Sequence, residues 1–356
     1  MAKNTILGID VGHDQLKLAL VDNGTVLDAV SVPMPDNMLR DGEITSIEAM
    51  ADLIGRTMKA NGIRAKNAAY VMPNEMAYVK EVSMPMMNTE QLEINLPYEF
   101  NDYITGEVKD YIFDYAVLPP DAKTENDAEA PAEAAAPAAE GEAAEAPAEE
   151  PEQVLKLMAV GAERKYIEDI QKMLAKAGLK MVKIAPALCT YISLIRNRMA
   201  FLKQTTDEFG ILDLGHQAVR MYIFDEDRHE ATRVLESGLS ALMDVVADIY
   251  GVERHLAQTY IINNYENCLE REECRNTYEN IATELMRAMN FYKFSNPNSN
   301  LTDLWLCGGG GFIHPLALAI GEMLDMRLHT ASELVDDGDD IPGCNSFVQA
   351  IGITLD

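Results

Sequence analysis

Apolar and polar residues alternate on both sides of a short polar turn near the start of the sequence. In TILGIDVGHDQLKLALVD, residues 5–22, apolar side chains recur at about every second position before and after Gly12. A period of two is typical of β-strands that bury one face. The pattern therefore predicts a strand, a tight turn and a second strand.

The same pattern occurs a second time, so the sequence contains an internal repeat. Without a gap, IDVGHDQLKLALVD (9–22) aligns with LDLGHQAVRMYIFD (212–225). The alignment pairs Asp10 with Asp213, Gly12 with Gly215, His13 with His216 and Lys17 with Arg220. Two related domains that begin with this hairpin are predicted to face each other across a cleft. Each turn offers backbone N–H groups and a carboxylate, which suit a polyphosphate bridged by Mg²⁺.

A run of glycines stands in DLWLCGGGGFIHPLALAIGEMLDM. We predict a strand over 304–307, the glycines, and a helix from about Ile313. Glycines allow a ligand to approach the backbone closely. The spacing matches neither GxxxxGK[ST] nor GxGxxG. Two interpretations stay open, a ligand-binding loop and a plain strand-to-helix turn.

Residues 121–152 form a segment of Ala, Pro and Glu with eleven Asp or Glu and one Lys. Because it has little to bury and its charges repel one another, the segment is predicted to be disordered. The flanking stretches VKDYIFDYAVLP and QVLKLMAVGAE are typical of strands. We therefore interpret the segment as a long hairpin loop inside a domain.

The overall composition excludes several classes of protein. A net charge of −29 argues against nucleic-acid binding, because phosphates require a basic face. The five cysteines form no CxxC pair, which is typical of free thiols in a reducing cytosol. The six histidines show no HExxH spacing, which argues against a zinc site. We find no secretory leader or membrane-spanning apolar run, and we expect a cytoplasmic protein without direct membrane insertion.

A helix is predicted to begin near Thr89. Leu92, Leu96, Phe100 and Tyr103 follow at helical spacing and define one apolar face, which we interpret as core packing. Pro97 predicts either a kink or the first turn of a separate helix.

Taken in order, these motifs resemble the type IV pilus assembly protein PilM family, actin-like proteins related to the cell-division protein FtsA. ILGIDVGHDQLKLALVDNG is similar to the family's first phosphate hairpin, and FGILDLGHQAVRMYIF to its second. ATELMRAMNFYKFSNPNSNLTDLWLCGGGG resembles the stretch that runs from a helix into the glycine-rich adenosine loop. LEINLPYEFNDYI resembles the start of a small inserted subdomain, and FVQAIGITLD the closing helix.

The resemblance implies an α/β, actin-like ATPase fold with two related domains around a cleft. Domain I would comprise 1–72 and 178–206, and domain II 207–356. A small inserted α+β subdomain, 73–177, would carry the disordered loop 121–152. The resemblance further implies ATP and Mg²⁺ in the cleft and docking of the N-terminal peptide of a PilN-like inner-membrane protein. Contact with other pilus platform proteins is also implied, and homo-oligomerisation is left open.

The candidate cofactor site combines both turns, the lysine of the first hairpin and the glycine run. Its members are Asp10, Gly12, His13, Lys17, Asp213, Gly215, His216, Gly308, Gly309, Gly310 and Gly311. Asp10 and Asp213 are the candidate Mg²⁺ ligands, through water. No catalytic residue is assigned.

The chain departs from the family pattern at the phosphate and nucleoside positions. His13, Asp14 and Gln15 stand where the family has hydroxyl residues after the glycine. Gln258 and Ile261 stand where an acid and a lysine normally approach the nucleoside. Lost donors and an added negative charge predict weak ATP binding, with hydrolysis slow or absent.

Two alternatives accompany the scaffold interpretation. A small-molecule kinase of the same superfold would need an intact phosphate grip and a positioned general base, and the altered first turn argues against it. An FtsA-like cell-division protein would be expected to carry a basic amphipathic tail, whereas the sequence closes on ITLD. We therefore predict a cytoplasmic scaffold of a type IV pilus or related secretion platform, held at the membrane through a partner, with a weak or vestigial ATP cleft.

Overall fold

The computed structural model describes residues 5–35, 37–40, 42–118, 154–203 and 207–355, with residues 200 and 201 described by their backbone alone. The strands are β1 (Thr5–Val11), β2 (Gln15–Asp22), β3 (Thr25–Pro33), β4 (Leu39–Arg40), β5 (Glu43–Ile44), β6 (Asn67–Met72), β7 (Ala77–Pro85), β8 (Tyr111–Val117), β9 (Val154–Glu163), β10 (Lys180–Pro186), β11 (Glu208–Leu214), β12 (Val219–Asp225), β13 (Arg228–Leu235), β14 (Asp303–Cys307) and β15 (Arg327–Thr330). The α-helices are α1 (Ile47–Ala60), α2 (Thr89–Asn95), α3 (Arg164–Lys176), α4 (Ala187–Leu202), α5 (Leu239–Tyr250), α6 (Arg254–Ile262), α7 (Glu272–Ser295), α8 (His314–Leu324) and α9 (Cys344–Gly352).

The chain divides into two compact units, Met1–Glu75 with Glu168–Asp356, and Met76–Ile167. The larger unit contains two five-stranded sheets with equivalent strand orders, β10-β6-β1-β2-β3 and β15-β14-β11-β12-β13. In each sheet the first three strands are parallel, and the third, fourth and fifth strands form an antiparallel meander. The repeat predicted from sequence is therefore a repeat of topology.

The two hairpins also share their register. Asp10 lies opposite Lys17 in the pairing of β1 with β2, and Asp213 lies opposite Arg220 in the pairing of β11 with β12. Both turns begin at the glycine that follows the strand. The sequence alignment of the two hairpins thus corresponds to equivalent positions in space.

The second sheet is covered on one face by α5 to α8. Helix α7 directs an apolar stripe at this sheet, because its buried residues recur every three or four positions. Ile281, Leu285 and Met289 of this stripe pack with Leu212 and Leu306 of the sheet. This core holds β11 and β14 in place, and the hairpin turn and the glycine run follow directly from these two strands.

Helix α9 packs against β1, β2 and α4. Its approach to β1 is so close that a Cβ atom at Gly8 would lie 1.6 Å from the carbonyl oxygen of Ala350. In the same last turn of α9, a Cβ atom at Gly352 would lie 2.4 Å from the carbonyl oxygen of Thr190. Only glycine fits at both contacts, so the position of α9 over the first sheet is fixed closely.

The smaller unit contains a three-stranded antiparallel sheet in the order β7-β9-β8. Strands β8 and β9 pair from Tyr111 with Glu163 to Val117 with Leu157, which confirms the hairpin predicted from the stretches that flank the acidic segment. The segment itself, 121–152, lies outside the described residues.

The apolar face predicted after Thr89 is correct for three of its four residues. Leu92, Leu96 and Phe100 are buried against one face of the β7-β9-β8 sheet. Helix α2 ends at Asn95, and a 3₁₀-helix with Pro97 in its first turn takes over from Leu96 to Phe100. The change of helix type ends the periodicity, and Tyr103 is 51% exposed instead of buried.

The sequence predicted no membrane-spanning segment and free cysteine thiols. Among the described residues, no helix is both long and apolar enough to cross a membrane. All five cysteines are free thiols, and four of them are buried.

Candidate functional site

A cleft of about 860 Å³ lies in the larger unit, within the size range of small-molecule sites. It is lined by both hairpin turns, by the start of the glycine run and by α6. Of the predicted site residues, it receives Asp10, Gly12, His13, Lys17, Asp213, Gly215, His216, Gly308 and Gly309. Gly310 and Gly311 do not line it, and Gly310 is buried against Leu214 and Leu239.

The first hairpin carries a partly buried ion pair at the cleft. The Nζ atom of Lys17 donates to Oδ2 of Asp10 across the strand pair at 3.1 Å. Burial alone would lower the pKa of Lys17, but the carboxylates of Asp10 and Asp213 more than offset it, so the pKa is raised. Lys17 is therefore a permanent cation between the acidic residues of the two hairpins.

The second hairpin repeats the residues but not the ion pair. Arg220 pairs with Glu75, which follows β6, and so is not the direct partner of Asp213. Asp213 instead accepts a hydrogen bond from Nε2 of Gln349 at 2.8 Å. Burial raises the pKa of Asp213, and the nearby charges of Lys17 and Arg220 counteract part of this rise.

A network of polar side chains lies behind Asp213. Nε2 of Gln349 also donates to the hydroxyl oxygen of Tyr191 at 2.7 Å, and this hydroxyl lies 3.3 Å from Sγ of Cys307. Burial raises the pKa of Tyr191 well above its ordinary value, with the charge of Asp213 adding to the effect. Tyr191 therefore stays a neutral hydroxyl, and the network holds Asp213 with uncharged groups.

The first turn is joined to α6 across the cleft. Nε2 of Gln258 donates to Oδ2 of Asp14 at 2.5 Å. Burial raises the pKa of Asp14, while the nearby His216 and Lys17 lower it in part. Burial lowers the pKa of His216, and its Nδ1 atom is buried without a hydrogen-bond partner among the described residues.

The glycine run is shaped by the second hairpin. Gly308 has a φ of +79°, and a Cβ atom there would lie 2.6 Å from Oδ1 of Asp213 and 2.7 Å from the carbonyl oxygen of Leu214. Its amide donates to the carbonyl oxygen of Asn345 in α9 at 3.1 Å. The strand-to-helix turn interpretation therefore explains Gly308 and Gly310, while Gly309 faces the cleft.

Beyond the glycine run the cleft is largely apolar. Leu239, Ile262 and Phe312 line it, and the last two are exposed. At the rim, Nδ2 of Asn264 lies 3.1 and 3.2 Å from the two carboxylate oxygens of Glu270. The cleft therefore has a charged end at the hairpins and an apolar end near Ile262, the last residue of α6, and Phe312, which precedes α8.

Several cleft residues were not among the sequence candidates. Glu75 and Glu270 line the cleft but lie outside the recognised motifs, whereas Gln349 belongs to FVQAIGITLD, a stretch to which no role at the site was assigned. The sequence around each of these residues shows only the pattern of ordinary secondary structure, so it gave no indication that they would line a binding site. Among the described residues, no group of three or more His, Cys, Asp or Glu side chains is arranged to hold a metal ion by itself.

Comparison with known protein families and comparison with solved structures both indicate the same family. The sequence model of the family described as type IV pilus assembly protein PilM matches residues 8–137 and 142–341. The solved PilM–PilN type IV pilus biogenesis complex contains a chain that is similar with a TM-score of 0.75 and 19% identity, over 98% of this chain and 97% of that chain. No curated protein sequence matches.

Two further structures are similar over almost the whole chain. The ethanolamine utilization protein EutJ from Carboxydothermus hydrogenoformans has a TM-score of 0.56 and 13% identity, over 98% of this chain and 88% of that one. The archaeal actin homolog Ta0583 has a TM-score of 0.47 and 11% identity, over 98% of both chains. With its duplicated sheets around a cleft, the chain has an actin-like ATPase fold, and it belongs to the type IV pilus assembly protein PilM family.

Proposed function

We propose that this protein is a cytoplasmic scaffold of a type IV pilus assembly platform. It docks the N-terminal peptide of a PilN-like inner-membrane protein and is held at the membrane through that partner. The observation that carries the proposal is the family match over residues 8–137 and 142–341, supported by a similar chain from a PilM–PilN complex. The match favours this function over the kinase and FtsA-like alternatives.

We place the proposed docking site on the smaller unit, Met76–Ile167, which lies within the predicted subdomain 73–177. Its surface carries large exposed side chains, with Ile94 66% and Tyr98 63% exposed. Nζ of Lys80 lies 4.8 Å from the ring centre of Tyr103, so the rim of this surface also offers a cation. Tyrosine is enriched among the residues that contribute most to binding at protein interfaces, so the exposed Tyr98 is our candidate anchor for the peptide.

The docking proposal is tested with the full-length protein and fluorescent N-terminal peptides of candidate single-pass membrane proteins from the native cell. We expect Tyr98→Ser to weaken binding by roughly tenfold, as for an interface anchor. Phe294→Ser is the matched control, because Phe294 is an exposed aromatic residue in the larger unit. Equal binding by both variants would show that the docking face is wrong. The absence of any single-pass membrane protein from native co-purifications would refute the docking itself.

The cleft of this scaffold is proposed to bind ATP with Mg²⁺ weakly. The charged end supplies Lys17 for the phosphates and Asp10 and Asp213 for the water shell of the metal. The Nδ1 atom of His216, which has no hydrogen-bond partner within the described part of the chain, supports a polar ligand at the second turn. The apolar end, with Ile262 and Phe312, suits a nucleobase.

The fit has one clear obstacle, which is the carboxylate of Asp14 at the first turn. It adds a negative charge next to the place proposed for the phosphates, and it is bonded to Gln258. When bound, Mg²⁺ supplies positive charge that offsets the repulsion between phosphates and carboxylates. The residues present therefore fit a metal-bound nucleotide better than a metal-free one.

A further inference from the structure

Helix α9 is separate in the sequence from both hairpins and the glycine run, yet it also lines the cleft. Gln349 donates to Asp213 of β11, and the carbonyl oxygen of Asn345 accepts from the amide of Gly308. The same helix rests on β1 at Gly8, two residues before Asp10 in the sequence. One helix therefore touches three of the segments that form the charged end of the cleft.

The two hairpins differ in what holds their aspartates. In the first hairpin, Lys17 lies opposite Asp10 and bonds to it directly. In the second, the equivalent Arg220 pairs with Glu75, and the direct donor to Asp213 is the neutral amide of Gln349. A neutral donor orients a carboxylate without cancelling its charge, so Asp213 keeps its attraction for a cation.

The side-chain amide of Gln349 is itself held in place. Its Nε2 atom carries two hydrogens, and these reach the hydroxyl of Tyr191 at 2.7 Å and Oδ2 of Asp213 at 2.8 Å. Oδ1 of the same carboxylate faces Gly308, where a Cβ atom would approach to 2.6 Å. Oδ2 of the carboxylate is thus held by a hydrogen bond from α9, and Oδ1 lies close to the glycine run.

We propose that Gln349 is a positioning residue, which orients the Asp213 carboxylate toward the metal that accompanies a nucleotide in this cleft. The role rests on the proposed ATP site. Mutation of a group that hydrogen-bonds to a metal-binding side chain typically lowers metal affinity by about 10- to 100-fold. Gln349 does not contact the nucleotide in this scheme, and its effect is expected only where metal is present.

The experiment compares ATP binding with Mg²⁺ and with EDTA, by calorimetry on the full-length protein. Gln349→Met keeps the length of the side chain and removes both donors. We expect wild type to bind ATP more tightly with Mg²⁺ and this variant to lose roughly tenfold of that enhancement, with metal-free binding unchanged. Thr354→Ala is the matched control, since its hydroxyl bonds to the carbonyl oxygen of Ile351 instead of reaching Asp213.

Tyr191→Phe provides a second variant should Gln349→Met fail to fold, and it should lose part of the enhancement because Gln349 then lacks one anchor. Equal weakening with and without Mg²⁺ in both variants would indicate a purely structural role and overturn the inference alone. Wild type that binds ATP equally well in EDTA would overturn the metal role. Wild type that binds no nucleotide in either condition would overturn the proposed ATP site and this inference together.

Discussion

The carboxylate of Asp14 accepts a hydrogen bond from the side-chain amide of Gln258, with Oδ2 and Nε2 2.5 Å apart across the cleft. Asp14 belongs to the turn after β1, and Gln258 to α6, which packs with the second sheet. The carboxylate of the first turn is therefore already engaged in a hydrogen bond within the protein. A ligand with phosphates at this turn must compete with that contact and with the charge of Asp14.

The first prediction concerns this charge. Two unit charges about 4 Å apart repel by about 1 kcal/mol in bulk water and about 4 kcal/mol at an effective dielectric of 20. Because the turn is only half-buried, we expect Asp14→Ser to bind Mg-ATP roughly tenfold more tightly than wild type. Lys17→Ala should lose the binding that remains. Calorimetric titration of Mg-ATP measures both.

A further variant separates the charge from the contact. Gln258→Ala removes the hydrogen bond and keeps Asp14, so we expect much less tightening than with Asp14→Ser. Equal tightening would mean that the cross-cleft contact, and not the charge, opposes the nucleotide. Micromolar binding by wild type that Asp14→Ser weakens would show that the turn is a working site with different chemistry, contrary to the idea of a vestigial cleft.

The second prediction concerns the backbone of the glycine run. Gly308→Ala places a Cβ atom against Asp213 and Leu214 at a residue with φ of +79°. Strain of this kind typically costs about 1–3 kcal/mol, so the free energy of unfolding in urea should fall by that amount. Gly311→Ala is the control, since a Cβ atom there has no neighbour closer than 3.9 Å. A Gly308→Ala variant as stable as wild type would contradict the close packing of the run on β11.

The third prediction concerns the pH dependence of stability. Burial lowers the pKa of His229 to about 4, and its Nε2 atom lies 2.8 Å from Oγ1 of Thr232. In the unfolded chain an imidazole titrates near 6.5. Between these values the unfolded state binds a proton that the folded state does not, so this contribution to stability is lost as pH falls from about 6.5 to about 4.

Urea unfolding near neutral pH and at about pH 4.5 tests the sign and size of this effect. For His229→Gln, the loss of unfolding free energy between the two pH values should be smaller by about 2–3 kcal/mol than in wild type. His255→Gln, at an exposed position of α6, should leave the wild-type dependence unchanged. If His229→Gln shows the same acid sensitivity as wild type, the imidazole is not buried in its neutral form.

The fourth prediction concerns the acidic segment 121–152, which we expect to contribute little to stability. Its Ala, Pro and Glu residues have few apolar side chains to bury, and each halving of a flexible loop changes the closure free energy by only about 0.6 kcal/mol. Replacement by a few Gly and Ser residues should shift the melting temperature by less than about 4 °C. A larger drop would show that the segment packs on the protein. The same replacement at lower ionic strength separates charge repulsion from packing.

The parts of the fold that follow from local pattern were predictable from sequence. The alternation around Gly12 and its repeat around Gly215 predicted two hairpins, and the structure gives them the same register, with Asp10 opposite Lys17. Around the glycine run, the sequence predicted the strand before it and the helix after it, and left open whether the run is a ligand-binding loop or a plain turn. In each case the signal and the structure lie within one short stretch of chain.

The partners of the charged groups were not predictable in this way. Gln258 reaches Asp14 over 244 positions, and Gln349 reaches Asp213 over 136. Such contacts depend on how separate helices pack, and one sequence carries no periodic signal for that. Arg220 illustrates the limit. The repeat aligns it with Lys17, which forms an ion pair with the aspartate of its own hairpin, but Arg220 forms its ion pair with Glu75 instead.

The close contact between Gly8 and Ala350 has a consequence for how the protein forms in the cell. The ribosome releases β1 early, but the helix that covers this strand is made only after roughly 340 further residues have been translated. At about 5–20 residues per second, this interval lasts roughly 17–70 s. During that time the apolar face of the first sheet lacks its final cover, so nascent chains should depend on chaperones more than the finished protein does.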